Sequence, residues 1–355
     1  MEQVRGQLAD CYKQLQLQRK NINAEAVKNL FLGNEKREHT LFSLAEYHNT
    51  NMKNILSHGT LKNYFTTLKY LKKFLKLQYK TADIYLTDLS YRFISEFELF
   101  LRKHTPTDHQ KKLQNNGVMK HLERLRKMIR LAVKMERMTK NPFENYQLKF
   151  QKVERSCLSD VELASIENKN FSIDRLEWVR DLFVFSCYTG LAYIDKMKLS
   201  PSNIVRGIDG EHWLITSRQK TEITVKVPLL PKALEIINKY KDHPRASVNH
   251  TLFPNISNQK LNSYLKEIAD LCGIDKYLTF HLARHTFATT VTLSNGVPIE
   301  SVSKMLGHTK ITTTQIYAKV VERKLSDDMR TLRDKLGRVP SQTHNLSKIN
   351  PLEFH

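Results

Sequence analysis

The sequence predicts a mainly α-helical protein with one small β-sheet, divided into two domains. Three observations carry this. Apolar residues recur at three- and four-residue spacing through most of the 355 residues. β-branched residues alternate with polar ones in one stretch, WLITSRQKTEITVKVPL at 213–229, around a turn-like centre. Between the helical halves lies ENYQLKFQKVERS, polar and without period, following Asn141-Pro142-Phe143. A proline ring removes a donor and pushes the preceding residue out of helical space, so the chain should leave its helix there.

The elements follow in order. Residues 1–37 hold a helical segment with Leu8, Tyr12 and Leu15 on one stripe and a stop at Gly33, too short for a domain. Residues 38–146 read as a helical bundle. Thr60 is the expected N-cap of a helix that buries Leu61, Tyr64, Phe65, Leu68, Leu71 and Leu75 and turns Lys62, Lys69, Lys73 and Lys76 outward. A second helix at 115–138 repeats the plan, with Val118, Leu122, Leu125, Ile129 and Val133 inward and Lys120, Arg124, Lys127, Arg130 and Lys134 outward. Residues 147–158 are the expected linker. The capping-box pattern Ser159-Asp160-Val161-Glu162 opens a second domain, 159–337, in which helices resume at Pro231 and Asn258. HLARHTFATTVTLSNG runs to Gly296 as a C′ residue, and the Pro-, Ser- and Asn-containing tail at 338–355 reads as disordered.

Charge narrows the partners. The formal net charge is +21, and residues 51–150 carry 21 Lys and Arg against 8 Asp and Glu, so 13 of the excess positive charges lie there. Such concentration points to a polyanion. Cys11, Cys157, Cys187 and Cys272 form no CxxC pair, which argues against a disulfide framework or a zinc knuckle. No run of about 18 apolar residues exists, and the N-terminus has no signal-peptide pattern. A soluble cytoplasmic protein is expected.

The stretch HLARHTFATT at 281–290 admits two chemistries. His281 and His285, four apart on a helix, stack as metal ligands do; His281 and Arg284, three apart, aim an imidazole and a guanidinium at one phosphate. HxxxH lacks the intervening Glu of HExxH, and no Cys or carboxylate nearby offers a third ligand, so the metal reading is the weaker. Around it stand TGLAYID at 189–195, RQKT at 218–221, LGHT at 306–309 and QIYAKV at 315–320. Singly these are weak signals: Tyr317 alone reads as a core tyrosine, and Lys220 as a sheet-edge lysine.

Together, HxxRH, then LGH 24 residues beyond Arg284, then a tyrosine nine residues past His308, resemble the catalytic domain of the tyrosine recombinase (phage integrase) family. TGLAYID and RxKT are similar to integrases of Bacteroides-type conjugative and mobilisable transposons. The resemblance spans about 38–335 and implies a helical core-DNA-binding (SAM-like) domain followed by the catalytic domain, closing as a C-shaped clamp on duplex DNA. It implies that Tyr317 attacks phosphorus, that Arg284, His281 and His308 hold the phosphate, and that Lys220 protonates the departing 5′ oxygen. The cationic faces of Lys62, Lys69, Lys73, Lys76, Lys120, Arg124, Lys127 and Lys134 would bind DNA backbone. The partners implied are double-stranded recombination sites and a homotetramer on two synapsed sites, monomeric when free, associated with the nucleoid. No cofactor and no metal are expected. Residues 1–37 would be a remnant of an arm-binding region.

One position departs from the pattern. Where the family has arginine in TGLR, this chain has Ala192 in Thr189-Gly190-Leu191-Ala192. Loss of activity, another cation in its place, or tolerance of weaker phosphate contact each fit. Asp195 keeps the acidic position of that motif. If the 218–221 stretch is strand, Arg218 and Lys220 face one side, and Arg218 is the candidate replacement cation; a flanking phosphate is its other possible ligand. A type IB topoisomerase-like strand transferase and a catalytically inactive DNA-binding protein of the same fold are the alternative functions.

Overall fold

The computed structural model describes residues 2–17, 24–32, 39–106, 111–153, 156–318 and 322–337. Its contacts divide the chain into two compact units, Met1–Val153 and Glu154–His355.

In the first unit the N-terminal segment forms two helices rather than one, α1 (Glu2–Leu17) and α2 (Ala24–Phe31), packed on each other. Leu15 is buried there while Tyr12 stays half exposed; Gly33, the expected stop, lies outside the described residues. The bundle proper is α3 (Leu41–Met52), α4 (His58–Phe74), α5 (Tyr91–Lys103) and α6 (Asn115–Lys134). The N-cap of α4 is Ser57, not Thr60: the Ser57 hydroxyl accepts the Thr60 N–H at 3.4 Å, so the helix starts one turn earlier. The buried stripe is Tyr64, Thr67, Tyr70, Leu71 and Phe74, with Leu61 and Leu68 half-buried beside it, while Phe65 is 49% exposed. A π-helical turn, Leu75–Tyr79, follows and buries Leu75. α6 buries Val118, Leu122, Leu125 and Ile129 as the pattern requires, with Val133 partly covered. It ends at Lys134, before the Asn141-Pro142 signal, and the chain turns through Glu136 at φ 56.

The segment expected to be a linker is tied down at both ends. Asn115 Nδ2 donates to Lys149 O at 2.9 Å, and Asn116 exchanges two hydrogen bonds with Gln151, so residues up to 151 belong to the α6 surface. In the second unit Lys276 Nζ donates to Cys157 O at 2.9 Å. The Leu158 N–H reaches Thr286 Oγ1 at 3.1 Å, and Leu158 O accepts the Thr290 hydroxyl.

The second unit opens with α7 (Asp160–Asn168), started by the capping box: Ser159 Oγ accepts from Glu162 N, and Glu162 Oε2 accepts from Ser159 N at 2.7 Å. α8 (Asp174–Thr189) is buried on nearly every side and forms the centre of the core, with Leu182, Phe183, Phe185 and Cys187 fully covered. After α9 (Tyr193–Met197) come β1 (Ile204–Arg206), β2 (His212–Ser217) and β3 (Thr224–Pro228), an antiparallel sheet in the order β1-β2-β3. β1 is too short for the alternation signal, whereas Val225 and Val227 of β3 alternate inward. Helices α10 (Pro231–Tyr240), α11 (Pro244–Val248), α12 (Asn258–Leu271), α13 (Phe280–Thr286), α14 (Ile299–Met305), α15 (Thr312–Ala318) and α16 (Glu322–Gly337) complete it. α13 continues as a π-helix at Phe287–Thr292 and a 3-10 turn that stops at Gly296, φ 82. Among the described residues no helix is long and apolar enough to cross a membrane.

Candidate active site

Two glycines place the carbonyls on which the site is built. α8 ends at Gly190, which has φ +69; a Cβ there would stand 2.5 Å from the Phe287 ring and 2.9 Å from Leu306, so no side chain fits. Gly307, φ +60, is equally confined by Val225 at 2.7 Å. Gly190 O accepts Arg284 Nη1 at 2.6 Å, and Leu306 O accepts Arg284 Nη2. Gly307 O accepts Arg218 Nη1 at 3.1 Å.

Arg284, on α13, is 3% exposed. Burial, with the like charge of Arg218, lowers its pKa to about 10, while Tyr317 and Asp195 act in the opposite sense. It stays protonated at neutral pH. His308, just past α14, presents Nε2 to Arg284 Nη2 at 3.1 Å and Nδ1 to Thr314 Oγ1 at 2.8 Å. Burial, then Arg284 and Arg218, lower the His308 pKa to about 4, so the ring is neutral at neutral pH.

Tyr317, on α15, is 5% exposed among Val225, Val227, Phe287, Val302 and Leu306. Its ring lies parallel to the His308 ring at 6.2 Å and 10°, and edge-on to His285 at 4.9 Å. Arg284, Arg218, His308 and Tyr317 therefore converge, and among the described residues neither guanidinium is paired with a carboxylate. Two unneutralised cations beside two hydrogen-bonding rings form an anion site.

The other expected site residues are placed differently. His281 is on the exposed side of α13, its ring edge-on to the buried His285 at 4.8 Å. His285 thus lies between His281 and Tyr317, a packing place. Among the described residues no group of three or more His, Cys, Asp or Glu side chains could hold a metal ion. Arg218 and Lys220 are not on a strand: β2 ends at Ser217, and 218–223 is a turn in which Glu222 N donates to Arg218 O at 2.7 Å. Strand alternation therefore does not govern them. The Arg218 side chain crosses to Gly307, while Lys220 is exposed in the turn. Asp195, buried at the start of α9, accepts the Gln219 N–H at 2.9 Å and so anchors this turn. Ala192 caps α9 with no polar side-chain atom.

In the first unit Lys62, Lys69, Lys73, Lys76, Lys120, Lys127 and Lys134 are exposed, with Lys120 paired to Glu123 at 2.7 Å. Arg124 is half-buried, and burial lowers its pKa, so it is less outward than its register suggested. The sequence reading missed Thr314, whose only signal was its place three residues before Tyr317.

Two family models match the chain: the phage integrase SAM-like domain over residues 40–151, and the phage integrase family over residues 175–324. Tyrosine recombinase XerD of Halalkalibacterium halodurans is 43% identical over 89 residues, covering 25% of this chain and 29% of that protein. XerC of Pediococcus pentosaceus is 25% identical over 289 residues, 77% of this chain and 91% of that protein. The chain thus spans less than a third of the H. halodurans XerD at the higher identity, and nearly all of the XerC at the lower. In architecture it is similar to lambda integrase bound to a COC′ core site, with TM-score 0.62, 20% identity, and 79% and 95% of the two chains covered. It is also similar to the Tn1549 transposon integrase in complex with circular intermediate DNA, with TM-score 0.63, 14% identity, and 82% and 99% covered. With the glycine-built arginine site, the buried tyrosine and both domain matches in place, the chain belongs to the tyrosine recombinase (phage integrase) family.

Proposed function

We propose that this protein is a site-specific DNA recombinase that cleaves and rejoins DNA through a 3′-phosphotyrosine intermediate. The observation that carries it is the convergence of Tyr317, His308, Arg284 and Arg218, with neither guanidinium neutralised. A scissile phosphodiester would supply the missing negative charge. Arg284 and Arg218 take its nonbridging oxygens; the Tyr317 phenol loses its proton to solvent, and the phenolate attacks phosphorus as the P–O5′ bond breaks. The strand leaves as a 5′-hydroxyl, its proton supplied by Lys220 from the exposed part of a short turn. Attack by another strand's 5′-hydroxyl on the phosphotyrosine reverses the step, releases Tyr317 and needs no ATP. His281, exposed on α13, is assigned to the DNA-facing rim of the same phosphate.

The partner is double-stranded DNA, held by the lysines of α4 and α6, in the nucleoid region of the cytoplasm. The relatives support this: lambda integrase is solved as a tetramer bound to a Holliday junction, and the Tn1549 integrase with transposon right end DNA. A homotetramer on two sites of a mobile or invertible element is the corresponding assembly here. The exposed Met329, Leu332 and Leu336 on α16 support it, since these apolar side chains suit a neighbouring protomer.

A nicked suicide duplex carrying the element's end tests the reading. The wild-type protein should form a covalent adduct that Tyr317→Phe does not. DNA binding without any adduct would establish a binding protein that has lost catalysis.

A further inference from the structure

Thr314 has no assigned role, yet it is fully buried and its hydroxyl meets the one nitrogen of His308 that does not face Arg284. A guanidinium only donates. Because Arg284 Nη2 stands 3.1 Å from His308 Nε2, that nitrogen must present its lone pair. The ring is neutral, so its single proton is on Nδ1, 2.8 Å from Thr314 Oγ1, which accepts it. Placing the proton on Nε2 instead would set two donors against each other.

Thr314 also sits three residues before Tyr317 on α15, on the same side of that helix. The hydroxyl that holds His308 and the phenol that attacks phosphorus therefore move as one piece. We propose that Thr314 is a positioning residue that fixes the His308 tautomer and makes a competent His308 conditional on a docked Tyr317 helix. The inference rests on the recombinase reading. The groups facing His308 are Arg284 from α13, Arg218 from the β2–β3 turn, and Tyr317 and Thr314 from α15. When a phosphate turns Arg284 toward itself, Nε2 is the free position on the ring. A proton taken there makes a second N–H that donates to a nonbridging oxygen, while Nδ1–H stays on Thr314. If α15 swings away, acceptor and nucleophile are lost together, so a protomer without its tyrosine docked also lacks an oriented imidazole.

The test compares Thr314→Val, which keeps the shape and removes the acceptor, with Thr314→Ser, which keeps the acceptor, using the full chain and a nicked suicide duplex. Thr314→Val should slow single-turnover cleavage about 10- to 100-fold with DNA affinity unchanged. Its pH profile should move to the acid side, because an imidazolium with an unpaired buried Nδ1–H holds its proton less well. Thr314→Ser should restore both rate and profile. Histidine-selective ¹⁵N NMR, with the signal assigned by His308→Gln, should show an Nδ1–H tautomer in the wild type. A slowed Thr314→Val with the wild-type pH profile would make the role purely structural and overturn the proposal. So would an Nε2–H tautomer in the wild type, a result that stands even if Thr314→Val does not fold. If the wild type forms no covalent adduct, the recombinase reading fails, and the NMR result still decides the Thr314–His308 link.

Discussion

Arg218 and Arg284 hang from consecutive carbonyl oxygens, those of Gly307 and Leu306. One guanidinium comes from the β2–β3 turn and the other from α13, and each depresses the proton affinity of the site it shares. Ala192 offers nothing to that pair, so the second cation of the site comes from a different element.

This arrangement ranks the two arginines. Arg284→Ala strands the carbonyls of Gly190 and Leu306 and, in the proposed mechanism, removes a phosphate donor, so cleavage should fall below detection. Arg218→Ala should cost roughly 10²- to 10³-fold in single-turnover cleavage, the loss expected for one transition-state donor. If Arg218→Ala cleaves within a few fold of wild type, Arg218 is not the replacement cation, and Lys220→Ala assayed beside it will show whether the turn matters at all.

The glycines make a sharper stability test, because two of them share a backbone conformation and differ in surroundings. Gly190 (φ +69) faces Phe287 and Leu306, whereas Gly273 (φ +64) has nothing within 4 Å of a would-be Cβ. Alanine at 273 should cost only left-handed strain, about 1–2 kcal/mol. At 190 the same strain is joined by overpacking of roughly 1–3 kcal/mol or more. Thermal melting of the two variants should separate them by several degrees; equal shifts would mean that the core around Gly190 gives way freely.

Gly190 and Gly307 were visible in the sequence as motif letters, and so were Arg284, His308 and Tyr317, because family spacing marks them. Their reason for being glycine was not, since it lies in side chains far along the chain, Phe287 and Leu306 at Gly190 and Val225 at Gly307. Long-range contacts of this kind leave no period in the chain. The same limit explains Arg218, whose turn is set by Asp195 accepting from Gln219 and not by strand alternation. It applies to Phe65 as well: which edge of the α4 apolar stripe is covered is set by the neighbouring helices it packs on, α3, α5 and α6, and not by its own spacing. Helix periodicity and the capping box at Ser159 survived because their causes are local.

The first unit should lose stability in acid through His121. Burial, then Arg124, lower its pKa from 6.5 to about 4, and its Nδ1 pairs with Thr67 Oγ1 at 2.9 Å. The unfolded chain then binds a proton that the folded one does not, so stability falls as pH drops from 6.5 toward 4. The size is about 3 kcal/mol at one pKa unit per 1.4 kcal/mol. Melting of wild type and His121→Phe between pH 7 and 4 checks it: the variant should flatten the curve, and an unchanged slope would assign the acid sensitivity elsewhere.

The last prediction concerns Lys196, which is 1% exposed with its amine 4.4 Å from the centre of the Phe280 ring and, among the described residues, no hydrogen-bond partner. Two effects oppose each other here. The ring face favours the charged amine by about 0.5–2 kcal/mol. Burying an ammonium costs several kcal/mol even after relaxation. Desolvation therefore wins, and the Lys196 pKa lies well below 10.5. The folded protein binds this proton less readily than the unfolded chain, so the unfolded state is favoured increasingly as pH falls from 10.5 toward the depressed folded value. Lys196→Met keeps the length and apolar stem and drops the titration. It should melt higher than wild type at pH 7, and the gap should narrow as pH rises toward 10. A variant that melts lower at pH 7, or a gap independent of pH, would show that the amine is charged and stabilised by contacts stronger than one aromatic face.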